Sequence, residues 1–400
     1  MTEIFKRTWA EIDLDALSFN FEQVRRQLAP GTKLCAVIKA DAYGHGAVRA
    51  AQEMEAWGAD YFAVSNLEEA LQLRLNGIRT PILILGYTPV AHAEALSRYR
   101  ITQCVYAKDY ARVLSAEAVR RQMQVTVHMK IDTGMNRIGF KLPDSPAEQD
   151  LQTLRDVCRL PGLVWEGIFT HFAVADEGND GHDFTLLQAE RFQAVVAALE
   201  KDGFHFAIHH CANSAAILDY PGLQMDMVRA GIILYGLYPS GKIGNRPALR
   251  PALSLKSTVS HVKIIHPGDT VSYGRRFTAE KPMKIATVPV GYADGYPRIL
   301  SDKGAEVLIH GRRCKILGRI CMDQLMADAS SLDEIQIGDE VTLIGTDGSE
   351  CILADELAGY QASINYEVIC DIGKRVPRVY LKNGEIDSIS NQLLPDSFTI

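Results

Sequence analysis

The residues of this chain best placed to do chemistry start with Lys39. It follows an apolar run, Lys33 to Ile38, and precedes Ala40-Asp41-Ala42-Tyr43-Gly44-His45-Gly46, a turn with two glycines. A lysine at the tail of a buried strand is costly unless its amine is used. Burial lowers a lysine pKa and so frees a nucleophilic amine. The chemistry that wants such an amine is Schiff-base formation with a carbonyl, and pyridoxal phosphate is the commonest cofactor of that kind. The other reading is a strand-end lysine whose stem is buried and whose head reaches water. Spacing alone does not separate the two.

The elements that would position this lysine follow a regular pattern. Trp9 to Leu14 alternates as a strand and runs into a helix from about Asp15 to Leu28, closed by Gly31. After the Lys39 strand, apolar runs recur at Tyr61–Val64, Ile82–Leu85, Ile101–Tyr106, Val125–Ile131, Val164–Thr170, Phe206–Cys211 and Met227–Ile233. Helical periodicity fills the gaps, as in Ala47–Trp57, Leu67–Asn76, Asp109–Arg121, Ala147–Arg159 and Leu186–Lys201. Alternating strand and helix implies a parallel sheet. Eight such units over roughly 240 residues match a (β/α)8 TIM barrel. A doubly wound open sheet would want a nucleotide fingerprint, and no GxGxxG is present.

After about Gly241 the texture changes. Gly241-Lys242-Ile243-Gly244-Asn245-Arg246-Pro247 reads as a linker. Beyond it, β-rich runs at Leu253–Ile265, Lys284–Val290, Ala305–Ile309, Lys315–Ile316, Val341–Ile344 and Val376–Leu381 are divided by turn signals such as Pro267-Gly268-Asp269 and Thr346-Asp347-Gly348. The expectation is a barrel over 1–245 followed by a mostly antiparallel β domain over 246–400, with one short helix near Ala354–Leu357. Strand 8–14 is a candidate to pair with the β domain.

Composition agrees with this class. The chain has 400 residues, 47% hydrophobic and 23% charged, as an ordinary globular protein does. A net charge of −7 gives no encouragement to nucleic-acid or anionic-membrane binding. The opening residues lack an apolar signal core, and no apolar run approaches membrane-spanning length. The eight cysteines show no CxxC and read as reduced cytoplasmic thiols.

In such a barrel the chemistry sits where strands end. Strand one ends on Lys39. Strand five carries Lys130 and then Asp132-Thr133-Gly134-Met135-Asn136-Arg137. Strand six ends on His171, strand seven gives His209-His210-Cys211-Ala212-Asn213-Ser214, and strand eight carries Arg229 and then Gly231-Ile232. This basic, hydroxylic, glycine-containing set suits an anionic ligand. The usual phosphate site of these barrels, after strands seven and eight, falls on Asn213-Ser214 and the amides near Gly231-Ile232. Ser or Asn at a helix start can equally be only an N-cap. His209 and His210 point to opposite faces of a strand and do not easily share one metal ion, so no metal is expected. The β domain holds a second set: Ser272-Tyr273-Gly274, Gly291-Tyr292-Ala293-Asp294-Gly295, Arg319-Ile320-Cys321-Met322-Asp323-Gln324 and Asn365-Tyr366-Glu367.

Along nearly its whole length the chain resembles the alanine racemases. The resemblance rests on Thr8–Leu14, on Ala36 through Gly46, on Lys130-Ile131-Asp132-Thr133-Gly134-Met135-Asn136-Arg137-Ile138-Gly139, and on Thr170-His171-Phe172. Asn213-Ser214-Ala215 and Val228-Arg229-Ala230-Gly231-Ile232 continue it, and it resumes in Ser272-Tyr273-Gly274, Gly291–Gly295 and Gly318–Gln324. It implies a fold-type III pyridoxal-phosphate enzyme that is a head-to-tail homodimer, each site completed by the partner's β domain. Lys39 would hold the cofactor. Tyr43, Ser214, the amides of Gly231 and Ile232, and Tyr366 would hold its phosphate. Arg229 would face the pyridine nitrogen with His210 behind it, and His171 would lie against the ring. Arg137 and the partner's Met322 would contact substrate, and Lys130 would be carbamylated to orient Arg137. Lys39 and Tyr273 of the partner subunit would be two opposed bases. The implied function is interconversion of L- and D-alanine for peptidoglycan in the cytoplasm. The alternative is a serine or broad-specificity racemase on the same scaffold. A related decarboxylase would not need Tyr273, and barrel-only pyridoxal-phosphate carriers lack a β domain.

Overall fold

The computed structural model describes residues 6–143 and 148–394. The first strand is β1 (Thr8–Asp13). Eight parallel strands follow: β2 (Lys33–Val37), β3 (Tyr61–Val64), β4 (Ile82–Ile84), β5 (Ile101–Val105), β6 (Val125–Asp132), β7 (Leu163–Phe169), β8 (Ile208–His210) and β9 (Met227–Ala230). They are hydrogen-bonded in the order β9-β2-β3-β4-β5-β6-β7-β8. Across the last gap, between β8 and β9, the amide of Asp226 donates to the His209 carbonyl (3.2 Å) and that of Arg229 to the Ala212 carbonyl (2.9 Å). The sheet is therefore a nearly closed barrel with helices in its connections, the architecture the alternating pattern implies. Strands β3, β4, β5 and β9 are buried at every residue. Continuous apolar runs are what a parallel sheet covered on both faces requires.

Two runs shorten on folding. The run Met227–Ile233 stops at Ala230, because Gly231 leaves the strand region (φ −115°, ψ −106°) and Ile232–Tyr235 winds into a 3-10 turn. The run Phe206–Cys211 keeps only three residues as strand. The helices lie at Leu14–Arg26, Ala47–Ala56, Leu67–Leu75, Ala93–Arg98, Lys108–Arg120, Glu148–Cys158, His182–Lys201 and Ser214–Asp219. Ala147, expected to open one of them, lies outside the described residues. None of the described helices is long and apolar enough to cross a membrane.

The chain divides into two compact units. The barrel unit is Ser18–Ala42 with Ala47–Leu249, and the second unit is Met1–Leu17, Tyr43–Gly46 and Arg250–Ile400. In the second unit β1 is an interior strand. It pairs antiparallel with Leu253–Thr258 and parallel with Arg378–Lys382. Glu340–Asp347, Glu306–Ile309 and Arg312–Lys315 extend the sheet on one side, and Glu385–Ser390 on the other. All pairings of this unit except that of β1 with Arg378–Lys382 are antiparallel among the described residues. The expected run Leu253–Ile265 breaks at Val259-Ser260, and its second half, His261–Ile265, joins a separate three-stranded sheet. A helix at Ala354–Gln361 is followed by a second one, Asn365–Cys370.

The short segment Tyr43–Gly46 is threaded tightly through this second unit. A Cβ on Gly44 would lie 2.1 Å from the Ile369 carbonyl oxygen, and one on Gly46 would lie 1.9 Å from the Tyr380 hydroxyl. Buried Arg378 donates to the carbonyls of Gly44, Ile372, Gly373 and Val376 at 2.6–3.0 Å. Hydrogen bonds from a charged donor contribute about 1.5–3 kcal/mol each, so this guanidinium is a principal fastening of the segment.

Candidate active site

Lys39 stands two residues beyond β2, where the chain enters a left-handed turn. Ala40, Asp41, Ala42 and Tyr43 all have φ between 52° and 54°. Left-handed helical backbone costs L-residues about 1–2 kcal/mol each, so four in succession need external support. The Ala40 amide donates to Glu69 Oε1 (2.7 Å), that of Ala42 to the Ile38 carbonyl (3.0 Å), and that of Ala47 to Asp41 Oδ1 (2.7 Å). Glu69 lies in helix Leu67–Leu75, whose N-cap Asn66 accepts from the Glu69 amide, and its other oxygen accepts from the Ser65 amide (2.7 Å). The lysine is thus presented by a strained turn fixed from the neighbouring connection.

Arg229, in β9, is the hub of the mouth. It is 3% exposed. Nη1 donates to His210 Nδ1 (2.9 Å), while Nη2 donates to the carbonyls of Thr170 (2.9 Å) and Cys211 (3.0 Å) and to His171 Nδ1 (3.1 Å). A guanidinium has no acceptor, so Nδ1 of both histidines must be bare. Both rings are neutral with their proton on Nε2, an assignment made from the hydrogen-bond network. Burial, and after it the Arg229 charge, holds both imidazoles well below their usual pKa. Burial lowers Arg229 itself to about 10, so it stays charged at neutral pH.

Lys130 lies in β6, buried, with Nζ 5.3 Å from the centre of the Phe169 ring. Burial lowers its pKa to about 8, and the charges of Arg137 and Arg229 act in the same direction. Arg137 is exposed, in a loop wrapped around Asp132. Asp132 Oδ1 accepts from the amides of Gly134 (2.9 Å) and Asn136 (3.0 Å). Gly139 (φ 140°) closes the loop where a Cβ would meet the Asp132 amide at 2.6 Å.

At the helix start after β8, Asn213 and not Ser214 is the cap. Asn213 is the N-cap, its Oδ1 accepting from the Ala216 amide. Buried Ser214 instead accepts from the Gly231 amide through Oγ (2.9 Å). The two adjacent histidines do face opposite ways. His209 reaches Asp226 (2.6 Å) and His210 turns inward to Arg229. Among the described residues no group of three or more His, Cys, Asp or Glu could hold a metal ion.

The barrel unit therefore brings Lys39, Lys130, Arg137, His171, Ser214, Arg229, Gly231 and Ile232 to the strand ends. The remaining expected site residues belong to the second unit. Tyr43 is buried, and its ring centroid lies 5.9 Å from that of Tyr366. Tyr273 is 68% exposed in a strained turn, with Ser272 at φ 66° and Gly274 at φ 73°. Met322 is also exposed, and the two loops meet where Ser272 Oγ lies 3.4 Å from Cys321 Sγ.

Two residues of this network went unnoticed in the sequence, His128 and Glu166. His210 Nε2 lies 3.0 Å from His128 Nδ1, and His128 Nε2 lies 3.2 Å from Glu166 Oε2. A signal existed for each. His128 is two residues before Lys130 and so shares its face of β6, and Glu166 is the one charge inside the run Val164–Thr170.

Residues 12–239 match the family model for the alanine racemase N-terminal domain, and 252–380 match the model for the C-terminal domain. An alanine racemase of Desulfovibrio desulfuricans is 48% identical over 382 residues, covering 96% of this chain and all of the relative. The solved structure of an alanine racemase of Clostridium difficile 630 superposes with a TM-score of 0.92 at 44% identity, covering 98% of this chain and 100% of the other. A histidine racemase of Leuconostoc mesenteroides also superposes, with a TM-score of 0.85 at 29% identity, covering 95% and 100%.

Proposed function

Because the chain belongs to the alanine racemase family, we propose that it interconverts L- and D-alanine with pyridoxal phosphate held at the barrel mouth. The observation that carries this reading is the donor set around Arg229. Three cationic side chains, Lys39, Arg137 and Arg229, gather there with two neutral histidines, as an anionic cofactor and a carboxylate substrate require. Ser214 accepts from Gly231, which leaves its own hydroxyl hydrogen to donate outward. The Ile232 amide opens a 3-10 turn and has no partner within it. These are donors for a phosphate, joined in this reading by the hydroxyls of Tyr43 and Tyr366. Arg229 Nε–H makes no hydrogen bond among the described residues and suits a ring nitrogen. Lys39 would bind the aldehyde carbon. When bound, the cofactor would withdraw electrons from Cα and make its proton removable.

Racemisation removes a proton from one face of Cα and returns one to the other. A single side chain does not easily reach both faces, so two bases are needed. In this reading Lys39 Nζ serves one face and the hydroxyl of Tyr273 of the partner subunit the other, in a homodimer with shared sites. Tyrosine is a poor base at its ordinary pKa of about 10, so nearby cations must lower it. His171 transmits such an effect, since Arg229 occupies its Nδ1 and leaves Nε2–H as the donor. Arg229 does not readily give up its proton, so it would leave the ring nitrogen unprotonated and temper the electron withdrawal. Arg137, with Met322 of the partner subunit, would hold substrate, and the product D-alanine suits peptidoglycan synthesis in the cytoplasm.

Purified protein supplied with pyridoxal phosphate should racemise alanine with a kcat/KM at least about tenfold above that for serine, lysine or histidine, one step of about 1.4 kcal/mol. The histidine racemase on this scaffold favours a second reading, a broader racemase, which a comparable rate on another amino acid would establish. No racemisation of any of them would overturn both.

Lys130 completes the reading as a carbamate. At pH 8 about half of an amine with a pKa of about 8 is neutral, and the neutral form adds carbon dioxide to give an anionic carbamate and a proton. That replaces a buried cation beside Arg137 and Arg229 by an anion. The folded pKa lies below the unfolded value of about 10.4. The unmodified lysine therefore disfavours folding in full below pH 8, and this penalty disappears as pH rises from 8 to about 10.4. Labelled bicarbonate should give a carbamate carbon signal at pH 8.5 that fades below pH 7 and is missing in Lys130→Ala. A signal identical in that variant would place the carbamate elsewhere.

A further inference from the structure

The buried chain that leaves Arg229 on its inner side runs Arg229, His210, His128, Glu166. Its geometry is built, not incidental. Between β6 and β7 the register shifts, with Val127 opposite Trp165 and His128 opposite Gly167, so Glu166 is the extra residue of a β-bulge. A bulge re-aims the side chain it carries. Next to it, a Cβ on Gly167 would lie 2.6–2.8 Å from three atoms of the His128 ring, so the absence of a side chain there makes room for the imidazole. His210 stacks on Phe169 with ring centroids 4.7 Å apart and planes 8° from parallel. Tyr61 donates to Glu166 Oε2 (2.7 Å) and also meets Thr102 Oγ1 (2.8 Å). Glu166 also borders a cavity of about 680 Å³ at the strand-start end of the barrel, which keeps its carboxylate in contact with water.

Two neutral imidazoles in series have two possible proton orders. In one, Arg229 donates to His210, His210 Nε2–H to His128 Nδ1, and His128 Nε2–H to Glu166. In the other, a hydrogen on His210 Nδ1 faces the hydrogen of Arg229 while a bare His128 Nε2 faces a carboxylate. An ionised carboxylate is acceptor-only and a guanidinium donor-only, so the two ends select the first order together. We infer that Glu166 is a positioning residue: Arg229 sets the proton order of the His128–His210 pair from one end, and the Glu166 carboxylate holds His128 Nε2–H from the other, and through the pair the orientation of the Arg229 guanidinium. The inference rests on the reading of Arg229 as the group that faces the cofactor.

The test is ring-nitrogen spectroscopy of the holoenzyme labelled with 15N-histidine, the two signals assigned by His128 and His210 substitutions. Wild type should show both rings as Nε2–H tautomers. Glu166→Leu should leave both rings Nε2–H, because Arg229 still faces His210 Nδ1, but take the acceptor from His128 Nε2–H and so shift that nitrogen's signal, shift the visible absorption of bound pyridoxal phosphate, and lower kcat with KM within about twofold. The kcat loss should be on the order of 10- to 100-fold, by analogy with the loss of an outer partner from a metal-bound histidine. Glu166→Gln, which keeps an acceptor oxygen, should bring the His128 Nε2 signal and the absorption back toward wild type. Wild-type protein with Nδ1–H on either ring would overturn the inference without any variant. So would folded Glu166→Leu protein with the His128 Nε2 signal and the absorption unchanged. Wild-type protein that takes up no pyridoxal phosphate, yet shows both Nε2–H forms, would instead defeat the cofactor reading and leave the proton order standing.

Discussion

Lys39→Ala protein should be colourless and should lose at least about a thousandfold in alanine racemisation, roughly 4 kcal/mol of barrier. Lys39 is assigned two tasks, anchor of the cofactor and base on one face of Cα. Its removal would leave the phosphate donors proposed at Ser214, Gly231 and Ile232 but no covalent attachment and no proton acceptor on that face. Wild-type protein should show a visible absorption that borohydride abolishes, because reduction fixes the Lys39 linkage. An added small amine should restore part of the rate in the alanine variant. Full activity of colourless Lys39→Ala protein with no added amine would sink the Schiff-base assignment.

Tyr273→Phe should separate the two faces. With the hydroxyl gone, the proton acceptor on one side is lost, and general-base losses run about 10²- to 10⁴-fold. Lys39 is intact, so it can still remove and return a proton on its own side. Turnover of L-alanine should therefore fall much further than exchange of the α-proton of D-alanine. Equal losses in the two assays would argue against separate bases. The same variant tests the assignment to the partner subunit. Tyr273 stands 68% exposed in a strained turn, an unfavourable place for a large ring that serves only its own chain. Mixing inactive Lys39→Ala with inactive Tyr273→Phe subunits should regenerate one intact site in each heterodimer. No recovery under conditions where subunits exchange would count against sharing.

What could be read in advance followed from how each element is buried. The eight barrel strands announce themselves because covered parallel strands are continuous apolar runs; Lys39 and His171 stand where two of those runs end, and Arg229 is the one charge inside the last of them. The Asn213-Ser214 question was open because one pattern serves both a helix cap and a ligand, and which residue caps the helix shows only in the fold, where Asn213 accepts from the Ala216 amide and Ser214 from the Gly231 amide. Glu166 and His128 escaped notice for a different reason. Their partnership depends on a one-residue bulge, and register is a property of two strands that neither reveals alone. Tyr366 was recognisable as a residue but not as part of a helix, since Asn365–Cys370 is too short for periodicity to show. The break at Val259-Ser260 was hidden because the apolar run continues across it while the chain changes sheets.

The interior position of β1 also has a consequence for synthesis. Its two neighbours, Leu253–Thr258 and Arg378–Lys382, leave the ribosome long after it does, the second by some tens of seconds at ordinary elongation rates. During that interval the barrel strands Lys33–Ala230 are complete and can begin to pair, while Trp9, Ala10 and Ile12 wait with both backbone edges open. An unpaired apolar strand at the front of a nascent chain is a template for association with other chains. The residues from Leu253 on therefore bring the segments that retire that hazard, and a chain cut short before Arg378 would keep one edge of β1 open.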